Sequence, residues 1–128
     1  MNYIADTHAF LWHLTESPTL SQKAKDIFRL ADEGKATIIL PAIVLLECID
    51  IIDKKKVKIQ FEEILVQMTQ ASNFVLAEMN WVLLLETNKV KGFKDLHDRI
   101  IVATARVFGA PIISKDKVIA GAHPNTIW

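Results

Sequence analysis

Asp98-Arg99-Ile100-Ile101-Val102-Ala103-Thr104-Ala105-Arg106-Val107-Phe108-Gly109-Ala110-Pro111-Ile112-Ile113-Ser114 decides the fold class. From Asp98 to Phe108 the residues are apolar on nearly every side, which predicts a helix buried at the centre of the molecule. Gly109 ends it, because glycine takes the left-handed turn that closes a helix without a steric penalty. Pro111 to Ser114 then forms a short buried strand. A buried helix running straight into a buried strand is the signature of a parallel sheet covered by helices.

The same alternation holds on either side. Tyr3 to Asp6 is a short apolar strand, and Thr7 caps a helix through Leu14. Ser21 caps the next helix, with Ala24, Ile27, Phe28 and Ala31 on one face and Gly34 at its end. Thr37 to Leu40 is a β-branched strand stopped by Pro41, which heads a helix to about Lys54, where its missing N–H costs little. Helices over 59–71 and 81–90 flank a strand at Phe74–Leu76, and Thr126–Trp128 is a last edge strand. No repeat or linker interrupts this order, so one α/β domain over 1–128 is expected.

Composition agrees. The chain has 128 residues, 51% hydrophobic and 23% charged, with 15 basic against 15 acidic side chains. A chain of this length hides roughly 65–70% of its unfolded surface, so it needs neither disulfides nor structural metal. Intrinsic disorder is excluded by the apolar content. A broadly basic nucleic-acid binder is excluded by the zero net charge. The lone Cys48 rules out an internal disulfide framework or a Cys-rich zinc site and points to a reducing compartment. No apolar run is long enough to span a membrane, and the first residues lack the features of a signal peptide. The expectation is a soluble, cytoplasmic protein.

Acids stand where an open parallel sheet binds ligands, at the carboxyl ends of its strands. Asp6 ends the first strand, and Asp116 follows the strand at 111–114 by two residues. Asp98 opens the buried helix with Asp95 one turn ahead, and Glu47 lies on the helix after Pro41. Such a cluster is unfavourable unless the acids take up protons or a cation neutralises them. All-oxygen donors favour Mg²⁺ or Mn²⁺ over zinc, and such ions promote phosphodiester hydrolysis.

Each acid also has a plainer role open to it. Asp6 caps a helix equally well, Asp95 and Asp98 have the spacing of a capping pair, and Asp116 fits an ordinary turn. Glu47 shares a helix face with Asp50 and Lys54, so it fits a solvated position too. His8, His13, His97 and His123 show no metal-binding spacing and read as exposed or packed singles. Lys94, Arg99, Lys115 and Lys117 flank the acids, where they could meet phosphates or simply be solvated. Trp12 is an aromatic that could stand at an interface.

The ordered set of motifs resembles one family. Asp6-Thr7-His8-Ala9-Phe10-Leu11-Trp12 is similar to the Asp-Thr-His-x-Leu-Leu-Trp opening of PIN-domain ribonucleases of the VapC toxin type. Leu20-Ser21-Gln22-Lys23-Ala24, Pro41-Ala42-Ile43-Val44-Leu45-Leu46-Glu47, Asp95 to Ala105, Ile113-Ser114-Lys115-Asp116 and the terminal Ile127-Trp128 follow in the family's order. The resemblance spans the whole chain. It implies a PIN-like three-layer α/β/α domain with a small, mostly parallel sheet of four to five strands.

It further implies that Asp6, Glu47, Asp98 and Asp116 are catalytic and hold Mg²⁺ or Mn²⁺ for RNA hydrolysis. Asp95 matches an additional acid, and Ser114, Lys115 and Arg99 are the residues expected at the substrate. A cognate antitoxin and a homodimer are the expected protein partners. Leu46 stands where the family often has Trp, Leu96-His97 replaces Pro-Phe, and 122–125 lacks the usual aromatic.

Competing α/β readings fit less well. A receiver-type signalling domain needs paired acids after its first strand and a mid-chain strand-end Asp, yet Asp6 stands alone. A haloacid-dehalogenase-like phosphatase needs Asp-x-Asp, which Asp6-Thr7-His8 does not supply. A non-catalytic PIN module that only binds RNA or protein would be marked by loss of an acid, and none of the four is lost.

Overall fold

The computed structural model describes residues Met1–Trp128. Five strands, β1 (Asn2–Ala5), β2 (Thr37–Pro41), β3 (Phe74–Ala77), β4 (Ile112–Ile113) and β5 (Thr126–Ile127), form one sheet in the order β3-β2-β1-β4-β5. Every pairing is parallel. The expectation of a mostly parallel sheet of four to five strands therefore holds, with five strands and no antiparallel member.

Seven helices cover the sheet in a three-layer α/β/α arrangement: α1 (Thr7–Leu14), α2 (Gln22–Asp32), α3 (Ala42–Asp53), α4 (Phe61–Gln70), α5 (Trp81–Lys89), α6 (Leu96–Phe108) and α7 (Lys117–Ala122). Helix α6 packs on β1 and β2 with Ile100 to Ala105 all buried, as its apolar circumference requires. Gly109 closes it at φ 59°, the left-handed position a side chain rarely adopts. The core joins β1, β2 and β4 to α1, α2 and α6, with Phe10, Phe28, Ile4, Ile38 and Ile112 almost fully hidden from solvent.

Local chemistry sets the helix starts, and it corrects three readings of the sequence. Asp6, not Thr7, caps α1: its Oδ1 accepts the Ala9 N–H at 2.9 Å, and Thr7 is the first helical residue. Helix α6 begins two residues earlier than Asp98, at Leu96, because Asp95 caps it by accepting the His97 N–H at 2.8 Å. The stretch read as a turn around Asp116 is the cap of α7, with Oδ1 accepting from Val118 N at 2.7 Å and Ile119 N at 3.2 Å. That six-residue helix was hidden because Val118 and Ile119 are its only large apolar residues, too few to show a period.

Strand order reverses direction between β1 and β4. From β1 the chain builds outward through β2 to β3, then returns to place β4 on the other side of β1. Register sets Ile4 against Ile112 and Ala5 against Ile113, so the residues leaving the two strands emerge side by side. This switch point opens a crevice at the carboxyl edge of the sheet.

Candidate active site

Asp6 leaves β1 and Ser114 leaves β4 at the same level, and the Ser114 hydroxyl donates to Asp6 Oδ2. Ser114 Oγ also accepts the Asp116 N–H at 3.0 Å. One buried hydroxyl thus ties the two strand-end aspartates together. Ser114 is spent on this brace, so it positions acids and has no hydroxyl hydrogen left for a substrate.

Glu47 enters from α3. Its Oε1 accepts the Thr7 hydroxyl at 2.7 Å, and its Oε2 lies 3.2 Å from His97 Nδ1. Asp50, one turn on, reaches the other way to Lys54 Nζ at 2.8 Å in solvent. The face shared in the linear pattern therefore divides, with Glu47 turned inward and Asp50 outward. Thr7 and His97 are the contributors that sequence reading missed. In sequence Thr7 fits a helix cap and His97 carries no signal, because its contact with Glu47 spans fifty positions.

Asp95 and Asp98 come from the start of α6. Asp95 is largely exposed and occupied with its capping bond. Asp98 sits in the first turn and accepts no hydrogen bond. With Asp6, Thr7, Glu47 and Asp116 these residues line one cleft of about 440 Å³, closed on its flanks by His8, Trp12, Ile101 and Lys115. All five predicted acids are brought together.

The predicted substrate contacts divide. Lys115 is the only cation lining the cleft. Arg99 points away, donating from Nη2 to the Thr87 carbonyl of α5 at 3.0 Å, with its Nε buried and unpartnered. It is removed from the cleft because α5 packs along that side of α6.

Electrostatics follow from the crowding. Burial lifts the Asp6 carboxyl above the usual range, against the opposing pull of the Ser114 and Ala9 hydrogen bonds. Burial, and then the charges of Asp95, Asp116, Glu47 and Asp6, push Asp98 from 3.8 up to about 6. The Asp98 shift thus combines burial with the negative charge crowded around it, whereas that of Asp6 comes from burial.

The donor set fits a hard divalent cation: five carboxylates, no thiolate in reach and a polar opening for water. No three His, Cys, Asp or Glu side chains are arranged to grip an ion directly. That spacing suits Mg²⁺, which keeps several waters and takes one or two carboxylates at a time. Asp98 is the acid with most to gain, since it has no hydrogen bond to surrender.

Comparison with known proteins adds the family. The PIN domain model matches residues 3–122. Among solved structures, VapBC2 from Rickettsia felis bound to a DNA fragment from its promoter aligns with TM-score 0.73 and 19% identity, covering 99% of this chain and 96% of that one. A toxin–antitoxin complex from Klebsiella pneumoniae aligns with TM-score 0.64 and 17% identity over 98% and 96% of the two chains. FitAB bound to the IR36 DNA fragment gives 0.64 and 12% over 98% and 93%. No curated protein matches the sequence. At such identities the structural likeness establishes a common fold, and the match over residues 3–122 establishes the lineage: this chain belongs to the PIN domain family.

Proposed function

We propose that the protein is a Mg²⁺- or Mn²⁺-dependent ribonuclease and the toxin of a toxin–antitoxin pair. The observation that carries the chemistry is the convergence of Asp6, Glu47, Asp95, Asp98 and Asp116 on one cleft at the sheet's switch point. The toxin role is supported by the VapC-type order of motifs and by structural neighbours described as toxin–antitoxin and VapBC assemblies.

Asp6, Asp98 and Asp116 would hold the cation, with Glu47 beside them and Asp95 further out. When bound, the ion polarises the phosphodiester and lowers the cost of forming hydroxide from water. The protein's own residues do the positioning. Ser114 and the Ala9 N–H keep Asp6 from turning, and Thr7 holds Glu47 toward the cleft. Lys115 at the rim meets a substrate phosphate, and the acids repel nucleic acid until they are neutralised. The partner protein would cover this same cleft, and the setting would be the cytoplasm. No helix is long and apolar enough to cross a membrane.

One observation favours a second reading, a PIN module that binds RNA without cutting it: no three donors are set to grip an ion as they stand. An RNA cleavage assay on partner-free protein separates the two. Cutting of a structured RNA pool with Mg²⁺ or Mn²⁺, abolished by EDTA, is expected. Binding without cutting under either metal supports the second reading.

A further inference from the structure

Helix α1 carries an aromatic ridge away from the acids. It is capped by Asp6, and His8 and Trp12 follow four residues apart, so both rings stand on one face of the helix, a turn apart. Their centroids are 5.5 Å apart and their planes tilted by 31°. Trp12 also meets Trp128 at 5.7 Å and 58°, which fixes the indole from the end of the chain. His8 is exposed and Trp12 only partly buried.

Trp12 borders two hollows at once. One is the acid cleft, which His8 also lines. The other is a groove of about 380 Å³ between α1 and α2, and the indole is the one side chain common to both. Each hollow falls within the roughly 300–1,000 Å³ typical of ligand sites. Charges in the groove cancel, with Lys25 and Arg29 against Glu16 and Asp32, and Arg29 is already paired with Asp26 at 2.6 Å. A strand leaving the acids by this route would gain little from its phosphates there. What the route offers is flat π surface and then polar side chains beyond it, which suits a nucleobase.

We propose that His8 and Trp12 form a base-stacking platform for a nucleobase beside the phosphate held at the acids, with the edge of that base turned toward the groove. The identity of the strand rests on the ribonuclease reading; the platform adds the residues that grip its base. Stacking on an aromatic ring is worth roughly five- to 150-fold in affinity per base. It neutralises no phosphate and so releases no counterions. Salt therefore separates this platform from Lys115. Loss of a ring lowers affinity at every salt concentration and leaves the salt slope unchanged.

The test is fluorescence anisotropy of two labelled octamers, a random-sequence single-stranded RNA pool and a chain of abasic tetrahydrofuran phosphates. Millimolar Ca²⁺ serves to neutralise the acids, and intact RNA is verified on a gel. The native chain should bind the RNA at least fivefold more tightly than the abasic chain. Trp12→Leu and His8→Ala should each weaken RNA binding severalfold, while binding of the abasic octamer stays the same. Trp12→Phe should restore most of the loss. His8 is exposed, so His8→Ala keeps its circular dichroism and carries the test even if Trp12→Leu unfolds. Native binding that ignores the bases, or folded variants with native RNA affinity, overturns the proposal and leaves the wall to a protein partner. Cleavage of the same pool in Mg²⁺ or Mn²⁺ tests the ribonuclease reading separately. A chain that cuts while its affinity ignores both rings overturns the platform alone, and one that binds through the rings yet never cuts supports the platform and overturns the ribonuclease.

Discussion

The Thr7 hydroxyl donates a 2.7 Å hydrogen bond to Glu47 Oε1, joining the exit of β1 to the middle of α3 across forty positions. Thr7 is buried and its backbone starts α1, so the hydroxyl is held by structure that exists for other reasons. Thr7→Val keeps the shape and removes the donor. Loss of a hydrogen bond to a charged, half-buried acceptor costs about 1–3 kcal/mol, visible in urea melts. Cleavage should fall severalfold, because Glu47 then samples outward rotamers. Unchanged cleavage would mean that Glu47 needs no anchoring.

Glu47 and Asp50 make a matched pair on one helix. Glu47→Gln keeps the volume and the Thr7 bond but removes a charge from the cleft. A loss of tenfold or more in cleavage is expected, which corresponds to about 1.4 kcal/mol of transition-state stabilisation. Asp50→Asn breaks only an exposed contact with Lys54, so activity should hold and stability change by less than about 0.5 kcal/mol. Equal rates in the two variants would remove Glu47 from the site.

The cleft acids impose a pH dependence on the metal-free protein. Asp98 titrates near 6 in the folded chain against an ordinary 3.8. A raised carboxyl contributes stability that is fully present below pH 3.8 and lost as pH rises through about 6. The metal-free chain should therefore gain stability relative to Asp98→Asn as pH falls from 7.5 to 5. At pH 7.5 the variant should melt as high as the native chain or higher. Paired thermal melts at the two pH values check this. A difference that stays flat with pH would show that Asp98 is not under strain.

Divalent cation should relieve the same repulsion. A ligand that binds only the folded state raises stability in proportion to the logarithm of its concentration once above its dissociation constant. Millimolar Mg²⁺ or Mn²⁺ should raise the melting temperature of the native chain and that of Asp98→Asn by less. Replacing Asp50 should leave the metal response intact. Absence of any response in the native chain would leave the acids without a cation to hold.

Much of this site was legible in one dimension because strand ends and helix starts carry their own signals. Asp6, Asp98 and Asp116 are each within three residues of a boundary that Gly, Pro or a cap marks, so the sheet's topology alone predicts their meeting. Glu47 was ambiguous, since helical spacing assigns it the same face as Asp50, and only the packing of α3 against α1 and α6 turns it inward. Thr7 and His97 were missed because their part lies in a side-chain bond to Glu47, which no local period encodes. Helix α7 was missed for lack of an apolar period. The outer face of α5 looked like any amphipathic stretch, since Trp81, Leu83 and Leu85 do not say in sequence which of them is buried.

Arg99 and Lys115 separate support of the fold from contact with substrate. Both flank acids in sequence, and both suit a phosphate. Arg99, however, donates to the Thr87 carbonyl near the end of α5, sharing it with the Val90 N–H at 3.2 Å, where the carbonyls of the last turn welcome a cation. Arg99→Ala leaves that carbonyl only the Val90 N–H and removes a charged donor with its packed side-chain stem, so stability should fall by about 1–3 kcal/mol. RNA affinity should be unaffected per folded molecule. Lys115→Ala should do the reverse. Its side chain is exposed at the cleft, so stability should shift by less than about 0.5 kcal/mol. RNA binding should weaken, and the dependence of its logarithm on log salt should lose roughly one unit of slope, as for one phosphate contact. Urea melts and RNA titrations at several salt concentrations measure both effects. An Arg99 variant of native stability and lowered salt slope would place its guanidinium at the RNA and not at α5.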